Sequence, residues 1–366
     1  MKKITQNLDI VGGTLLIACS IITIIFANLS PTAYVEFNNF QLFWGLDVKH
    51  FVNDVLMTLF FFMIGLEVVR EVTDGALSSK DKILLPLLTA ASGFAVPALI
   101  FVLIVGFNSD AIAGWAIPTA TDIAFALGII ALLGDRVNTN LKILLMAIAV
   151  IDDLLAIATI AIFYTADLQA QYLLVSLVSC VTLFTLMRNK VEVLTPYLAS
   201  GVILWLSMYF AGVHATLAGV ITAMFIPRGN KGFSHNKEHK LHLLVTLLII
   251  PIFAVCNAGV EISPDSSGSY LDATSIAVAT ALILGKPLGI YTTAYLTVRY
   301  GVCKLPEGVT LSMVGGISIL CSIGFTMSIY IGSLAGLPTD SYKVGILLAA
   351  AFASLLGILV LSKTNR

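Results

Sequence analysis

Residues 141–163 read LKILLMAIAVIDDLLAIATIAIF, with two adjacent carboxylates, Asp152 and Asp153, in the middle of an otherwise apolar run. A helix needs about 20 apolar residues to cross a bilayer, so the run has the length of a span. The eleven steps from Leu141 to Asp152 cover about 16 Å at 1.5 Å per residue, half of a 30 Å hydrocarbon core. The aspartates therefore fall near mid-depth. Working outward, the same scan gives twelve apolar runs: 10–29, 52–69, 83–107, 111–133, 141–163, 172–187, 194–210, 213–226, 243–260, 274–295, 310–334 and 344–361. The chain is 58% hydrophobic and 11% charged, where a soluble domain carries about 25% charged residues, and its mean hydropathy is +0.98. A water-soluble protein is excluded. Twelve spans leave no length for a sizeable soluble domain, so residues 1–366 read as one integral membrane domain. The first run follows Lys2 and Lys3 as a signal peptide would, but its 20 residues exceed the roughly 7–15 of a cleaved apolar core, and it is read as a span.

Net charge is −1, which offers no basic excess for nucleic acid. The Lys and Arg residues instead sort by side. With the N-terminus inside, seventeen of the twenty fall in inner connections, only Lys49 and Lys343 fall outside, and Lys286 lies within span 10. That asymmetry places both termini in the cytoplasm. The five cysteines, Cys19, Cys180, Cys256, Cys303 and Cys321, are scattered without C-x-x-C spacing and read as small hydrophobes.

Two spans are interrupted. Span 4 carries Gly114-Trp115-Ala116-Ile117-Pro118-Thr119-Ala120-Thr121-Asp122, and span 11 contains Gly315, Gly316, Gly324 and the polar stretch Ser318 to Ser322. Irregular backbone at membrane depth is tolerated only where it faces protein or a cavity. Spans 4 and 11 are seven apart and so run in opposite directions, which suggests spans 3–5 and 10–12 as an inverted repeat around a midplane ion site. Close helix packing is the alternative use of Gly315 and Gly316.

Four ionisable residues lie near mid-span: Asp122, Asp152, Asp153 and Lys286. Each costs about 2.5–3.5 kcal/mol to insert, roughly 10–14 kcal/mol for the four before compensation. That rivals the net stability of a whole domain, about 5–15 kcal/mol. A structural ion pair between one aspartate and Lys286 is the plain alternative to function, yet it leaves carboxylates over. At least one must bind a cation, a proton, or each in turn. Adjacent helix positions point about 100° apart, so Asp152 and Asp153 cannot face one site equally; one is free to face a cavity while the other meets Lys286. Carboxylate, Thr hydroxyl and freed carbonyl oxygens suit a hard cation, with Na⁺ or Li⁺ favoured over a divalent ion. Competition of such a cation with protons, at a site opened alternately to each face, suffices for exchange.

Glu67, Arg70 and Glu71 share a helix face at the inner end of span 2, and Glu238, His239 and His242 precede span 9. Histidines there titrate in the range of an internal pH signal; a solvated rim is the alternative. His214, beside Gly212, reads as an isolated histidine packed near the outer interface.

Five motifs together are similar to the NhaA family of bacterial Na⁺/H⁺ antiporters. They are Thr119-Ala120-Thr121-Asp122-Ile123-Ala124-Phe125-Ala126-Leu127-Gly128, Ile151-Asp152-Asp153-Leu154, Gly212-Val213-His214-Ala215-Thr216-Leu217-Ala218-Gly219, Gly285-Lys286-Pro287-Leu288-Gly289 and Gly324-Phe325-Thr326-Met327-Ser328-Ile329. The resemblance runs through effectively the whole chain. It implies an all-α membrane protein of twelve transmembrane helices in the bacterial inner membrane, with helices 4 and 11 interrupted and crossing. It implies export of Na⁺ or Li⁺ for a larger number of protons, activation by alkaline cytoplasm, and no cofactor. Asp153 resembles the family's main cation and proton carboxylate, Asp152 its neighbour that alternates between the cation and Lys286, and Thr121 an accessory ligand. Asp122 matches the charge that balances the broken helices. Glu67, Arg70, Glu71, Glu238, His239, His242 and His214 match positions of pH response. Leu155 stands where the family often has Gly. The connection 29–52 has only 24 residues, shorter than in members that build a dimerising β-hairpin; a homodimer is compatible with the sequence, but this speaks against a hairpin interface.

An intramembrane aspartyl protease would also need two membrane aspartates, but its Gly-x-Gly-Asp signature is absent, since Ala149-Val150-Ile151 precedes Asp152. A passive cation channel would use rings of charge or carbonyls and has no need of Lys286. An enzyme is not expected.

Overall fold

The computed structural model describes residues 2–43, 45–75, 77, 80–134, 137–165, 168–227, 235–261, 272–337 and 340–364. Of the basic residues that set the orientation, Arg136, Arg228, Lys231 and Arg366 lie outside them. Helices α1 (Lys2–Leu29) and α2 (Pro31–Asn39) lead to strands β1 (Gln41–Phe43) and β2 (Leu46–Asp47), then to α3 (Val48–Thr73) and α4 (Lys80–Val105). The 3-10 helix Asp110–Thr119 is followed by α5 (Ile123–Leu132), α6 (Thr139–Phe163), α7 (Ala170–Arg188), α8 (Thr195–Ala211) and α9 (Leu217–Phe225). The chain continues as α10 (Asn236–Asn257), α11 (Ala273–Arg299), α12 (Leu311–Leu320), α13 (Phe325–Leu334) and α14 (Ser341–Thr364).

Among the described residues, eight helices are long and apolar enough to cross a membrane, and ten spans result if each of two bent pairs counts as one. The runs 194–210 and 213–226 fold as α8 and α9, of 17 and 9 residues. Nine residues rise only about 14 Å, short of a full crossing. Gly212 divides them: at φ 80 it takes the left-handed conformation that costs glycine least, and the Val213 N–H returns 3.1 Å to the Met208 carbonyl, closing α8 as a Schellman turn.

The connection 29–52 contains a short hairpin. Gln41 pairs with Asp47 and Phe43 with Leu46, antiparallel. Strands of three and two residues need only a fraction of the connection, and the described architecture is otherwise helical.

Centrality follows from burial. In the apolar window of α6, 72% of residues are buried, against 17% in α7; both are apolar, but only α6 is surrounded by protein. Leu174, Leu177 and Val178 of α7 face outward, as a lipid-facing helix requires. The segment carrying Asp152 and Asp153 is thus the centre of the molecule.

The two interruptions meet there. Segment Asp110–Thr119 and α5 are bent by 41°, and α12 and α13 by 45°. The Thr119 hydroxyl caps its own segment by donating to the Ala116 carbonyl at 2.8 Å, and Ala120 continues in extended backbone. The Asp122 N–H then donates to the Ile323 carbonyl of the other break at 2.6 Å. A Cβ on Gly324 would lie 2.8 Å from the Ala120 carbonyl oxygen and 2.1 Å from the Ser328 hydroxyl, so only glycine admits this approach.

Candidate functional site

Each break frees helix ends, and a helix end carries about half a unit of charge, positive at its N-terminus and negative at its C-terminus. Asp122 answers both N-termini. As the N-cap of α5 it accepts the Phe125 N–H at 3.0 Å. Its other oxygen accepts the Thr326 N–H at 3.0 Å and the Thr326 hydroxyl at 2.6 Å. Helix α13 begins at Gly324, which has no side chain to cap with; the cap comes from the other break. The C-terminal ends are answered by donors. Lys286, at the middle of α11, donates to the Thr119 carbonyl, and the Thr121 hydroxyl lies 3.0 Å from the Cys321 carbonyl at the end of α12.

The same two donors hold Asp152. Lys286 Nζ is 2.7 Å from Asp152 Oδ2, with both side chains fully buried, and the Thr121 hydroxyl donates to that oxygen at 2.6 Å. A hydroxyl has one proton, so Thr121 serves either Asp152 or Cys321 at a given moment. Asp153, one residue on and only 2% exposed, faces elsewhere. Among the described residues its Oδ1 is buried without a hydrogen-bond partner, as are Asp152 Oδ1 and the Ser322 hydroxyl. The carboxylates of Asp152, Glu67 and Asp122 act on Asp153, opposed by Lys286. Of these, the three buried carboxylates Asp122, Asp152 and Asp153 share one ammonium.

Residue spacing left open which aspartate meets the lysine, and the family resemblance implied Asp152; in the structure it is Asp152. It placed Asp122 and Thr121 at the breaks, where they are found. It missed Thr326, whose hydroxyl and N–H both bind Asp122, and Ser328, whose hydroxyl ties α13 to the Ile117 carbonyl at 2.7 Å. The signal for Thr326 was its position two residues after Gly324, where a helix start needs a partner.

The second cluster gathers around Arg70 of α3. Its guanidinium is 2.8 Å from Glu67, 2.8 Å from Glu238 and 3.7 Å from Glu71. His242 lies in the field of Arg70, Glu238 and His239. His214 stands apart in the turn between α8 and α9, its Nε2 2.6 Å from the Tyr164 carbonyl at the end of α6. The five cysteines are all unpaired thiols.

Two broken spans that meet at buried carboxylates and one lysine define a class: membrane transporters that carry ions through helix breaks. The chain belongs to the Na⁺/H⁺ antiporter 1 family, whose model matches residues 3–361. It is 44% identical over 365 residues to the "Na(+)/H(+) antiporter NhaA" of Vibrio alginolyticus, covering 97% of this chain and 95% of that protein. It is 44% identical over 374 residues to the protein of the same name from Aliivibrio fischeri strain MJ11, covering 99% and 98%. A Vibrio cholerae relative, also so named, is 44% identical over 362 residues, covering 96% and 94%. These relatives are named as antiporters, not enzymes.

Proposed function

We propose that the chain exchanges Na⁺ or Li⁺ for protons across the bacterial inner membrane, with both termini in the cytoplasm, and that Asp153 is the carboxylate for which cation and proton compete. A buried carboxylate without a partner is costly, and it is neutralised by a proton or by a metal ion, each excluding the other. Asp152 contributes the second carboxylate. In the resting arrangement it is paired with Lys286; on binding a cation it leaves the lysine, and Thr121 follows as an accessory oxygen ligand. Asp153 gives up one proton as the cation binds and Lys286, once Asp152 has left it, gives up a second, so two protons move inward for each monovalent cation outward and the exchange is electrogenic. Asp122 stays put as the cap of both breaks, keeping their carbonyl ends aimed at the site. The four midplane charges and the breaks on spans 4 and 11 are the features of an inverted repeat of spans 3–5 and 10–12 within twelve membrane segments, rocking to give alternating access. The Arg70 cluster of Glu67, Glu71, Glu238, His239 and His242 is the pH-responsive entrance, with Glu67 linking it to Asp153; His214 adjusts the response through α6. The protein needs no resident metal or cofactor for this: the cation is cargo.

The observation that carries this reading is the split of two adjacent aspartates, one held by Lys286 and Thr121, the other buried without a partner for Oδ1. Its test is transport in vesicles. Sodium is expected to collapse an imposed pH gradient with the native chain and to leave it intact with Asp153→Asn. A retained response in that variant removes Asp153 from the mechanism.

A further inference from the structure

The two lysines that the charge asymmetry puts on the outer side come together. Lys49, at the start of α3, and Lys343, at the start of α14, line one cavity of about 170 Å³ with Tyr34, Asn38, Gly259 and Asp340. At about 30 Å³ for a water, this is room for five or six waters, the scale of a small head group. Lys343 is only 5% exposed. Its ammonium donates to Asp340 Oδ2 at 2.8 Å and, at a long 3.4 Å, to the Gly259 carbonyl. An ammonium has three donors, so one remains. Lys49 has no ion-pair partner among the described residues. These two cations have no role in the midplane site.

Beside them stand acceptors. Asn38 is 7% exposed; its Nδ2 donates to the Cys256 carbonyl at 3.2 Å, and its Oδ1 is buried with no partner. Tyr34 is already committed, its hydroxyl donating to Cys256 at 2.8 Å. The cavity therefore offers two ammonium groups to an anion and, adjoining them, an unsatisfied amide oxygen and the Asp340 carboxylate to a donor. A simple anion leaves Asn38 Oδ1 unpaired and meets Asp340 with like charge. A simple cation meets two lysines. The complement is a zwitterion with a phosphate next to a primary ammonium. Val35, which also lines the cavity, is 54% exposed, and Phe37 and Phe40 are 41% and 65% exposed on the same segment. These give acyl chains an apolar surface at the depth where aromatic residues meet head groups.

We infer that this cavity binds the phosphoethanolamine head group of an outer-leaflet lipid, phosphate on Lys49 and Lys343, ammonium on Asn38 Oδ1 and Asp340, so that one lipid ties α2 and the start of α3 to the outer ends of α10 and α14. The reading does not depend on the transport mechanism proposed above. It is tested on the purified full-length chain by counting retained lipids in native mass spectrometry, and by melting in detergent with short-chain phosphatidylethanolamine, phosphatidylcholine or phosphatidylglycerol of equal chain length. One phosphatidylethanolamine is expected to be retained at least about tenfold more tightly than either other lipid, the worth of one charge-assisted hydrogen bond. Phosphatidylcholine is the sharp control, because its quaternary ammonium has no N–H for Asn38. Asn38→Leu should abolish that preference, and Lys49→Glu should weaken retention of all three lipids, since each carries the phosphate. Lys49 is half-buried and its reversal is checked for a native melting transition, so the test survives if Asn38→Leu does not fold. Equal retention of the three lipids by the native chain, or unchanged retention of phosphatidylethanolamine by folded Lys49→Glu, overturns the inference. Binding of free glycerophosphoethanolamine as tight as that of the lipid overturns it too, by making the ligand a soluble one.

Discussion

Two lysine–aspartate pairs of nearly equal length differ in almost everything else. Lys286 and Asp152 lie 2.7 Å apart, both fully buried, on helices brought together from distant parts of the chain. Lys343 and Asp340 lie 2.8 Å apart, three residues apart in sequence, with the lysine side chain 6% and the aspartate 64% exposed. Distance does not set their worth. A buried pair has already lost its hydration, so removing one partner strands a charge, at about 3–5 kcal/mol. A pair with one side in water is screened and worth about 0.2–1 kcal/mol. The first is a constraint on the fold and the second a local contact beside a cavity.

The largest effect that would test this contrast is at Lys286. Lys286→Ala should cost about 3–5 kcal/mol in thermal unfolding of the solubilised protein, and Lys286→Arg clearly less; equal losses would remove the ion pair as the reason. Pairing it with Asp152→Leu should recover part of that loss, since no charge is then stranded, and a double-mutant cycle reads the coupling directly. Next comes Asp122→Ala, which uncaps two helices at once. A lost cap costs about 0.5–2 kcal/mol, so roughly 1–4 kcal/mol is expected; a loss confined to one cap would show that α13 does not depend on the other break. At the rim, Asp340→Asn should shift stability by less than about 1 kcal/mol, and the shift should shrink further in high salt. A loss as large as that at Lys286 would erase the distinction. The smallest effect concerns Asp47, which accepts the His50 N–H and ring N–H at the entry to α3. Burial raises its carboxyl, but the His50 contacts outweigh this and hold it below its ordinary value of 3.8. A depressed carboxyl contributes stability that is present above its unfolded pKa and lost as pH falls through its folded one. Melting in acid, below that ordinary value, should therefore show a small loss that Asp47→Asn lacks.

Much of this was legible beforehand. Hydropathy located the long spans because lipid imposes a length on any apolar helix. Pro118 with its threonines and Gly324 marked the breaks because irregular backbone inside a membrane needs a reason. The 100° step between neighbours separated Asp152 from Asp153 before any coordinates. Residue spacing alone left open which of them meets Lys286, because that depends on how α6 is rotated against α11; the family resemblance pointed to Asp152. The short hairpin was not legible because a connection's length bounds what it holds without choosing it, and the division of 194–226 into a 17-residue and a 9-residue helix turned on the backbone of Gly212. The Arg70 cluster was half legible: spacing put Glu67, Arg70 and Glu71 on one face, and only folding brought Glu238 to them.

The amino-acid order by itself determined that the chain is a membrane protein and that three mid-helix carboxylates outnumber one ammonium, because these follow from transfer energies and composition and hold for any arrangement of the helices. Tertiary structure alone decided that Asp122 caps a helix from each break, that Lys286 closes on Asp152 and a helix end together, and that Lys49 and Lys343 share a cavity with Asn38. Those contacts join residues far apart along the chain, and their geometry exists only once the helices are packed.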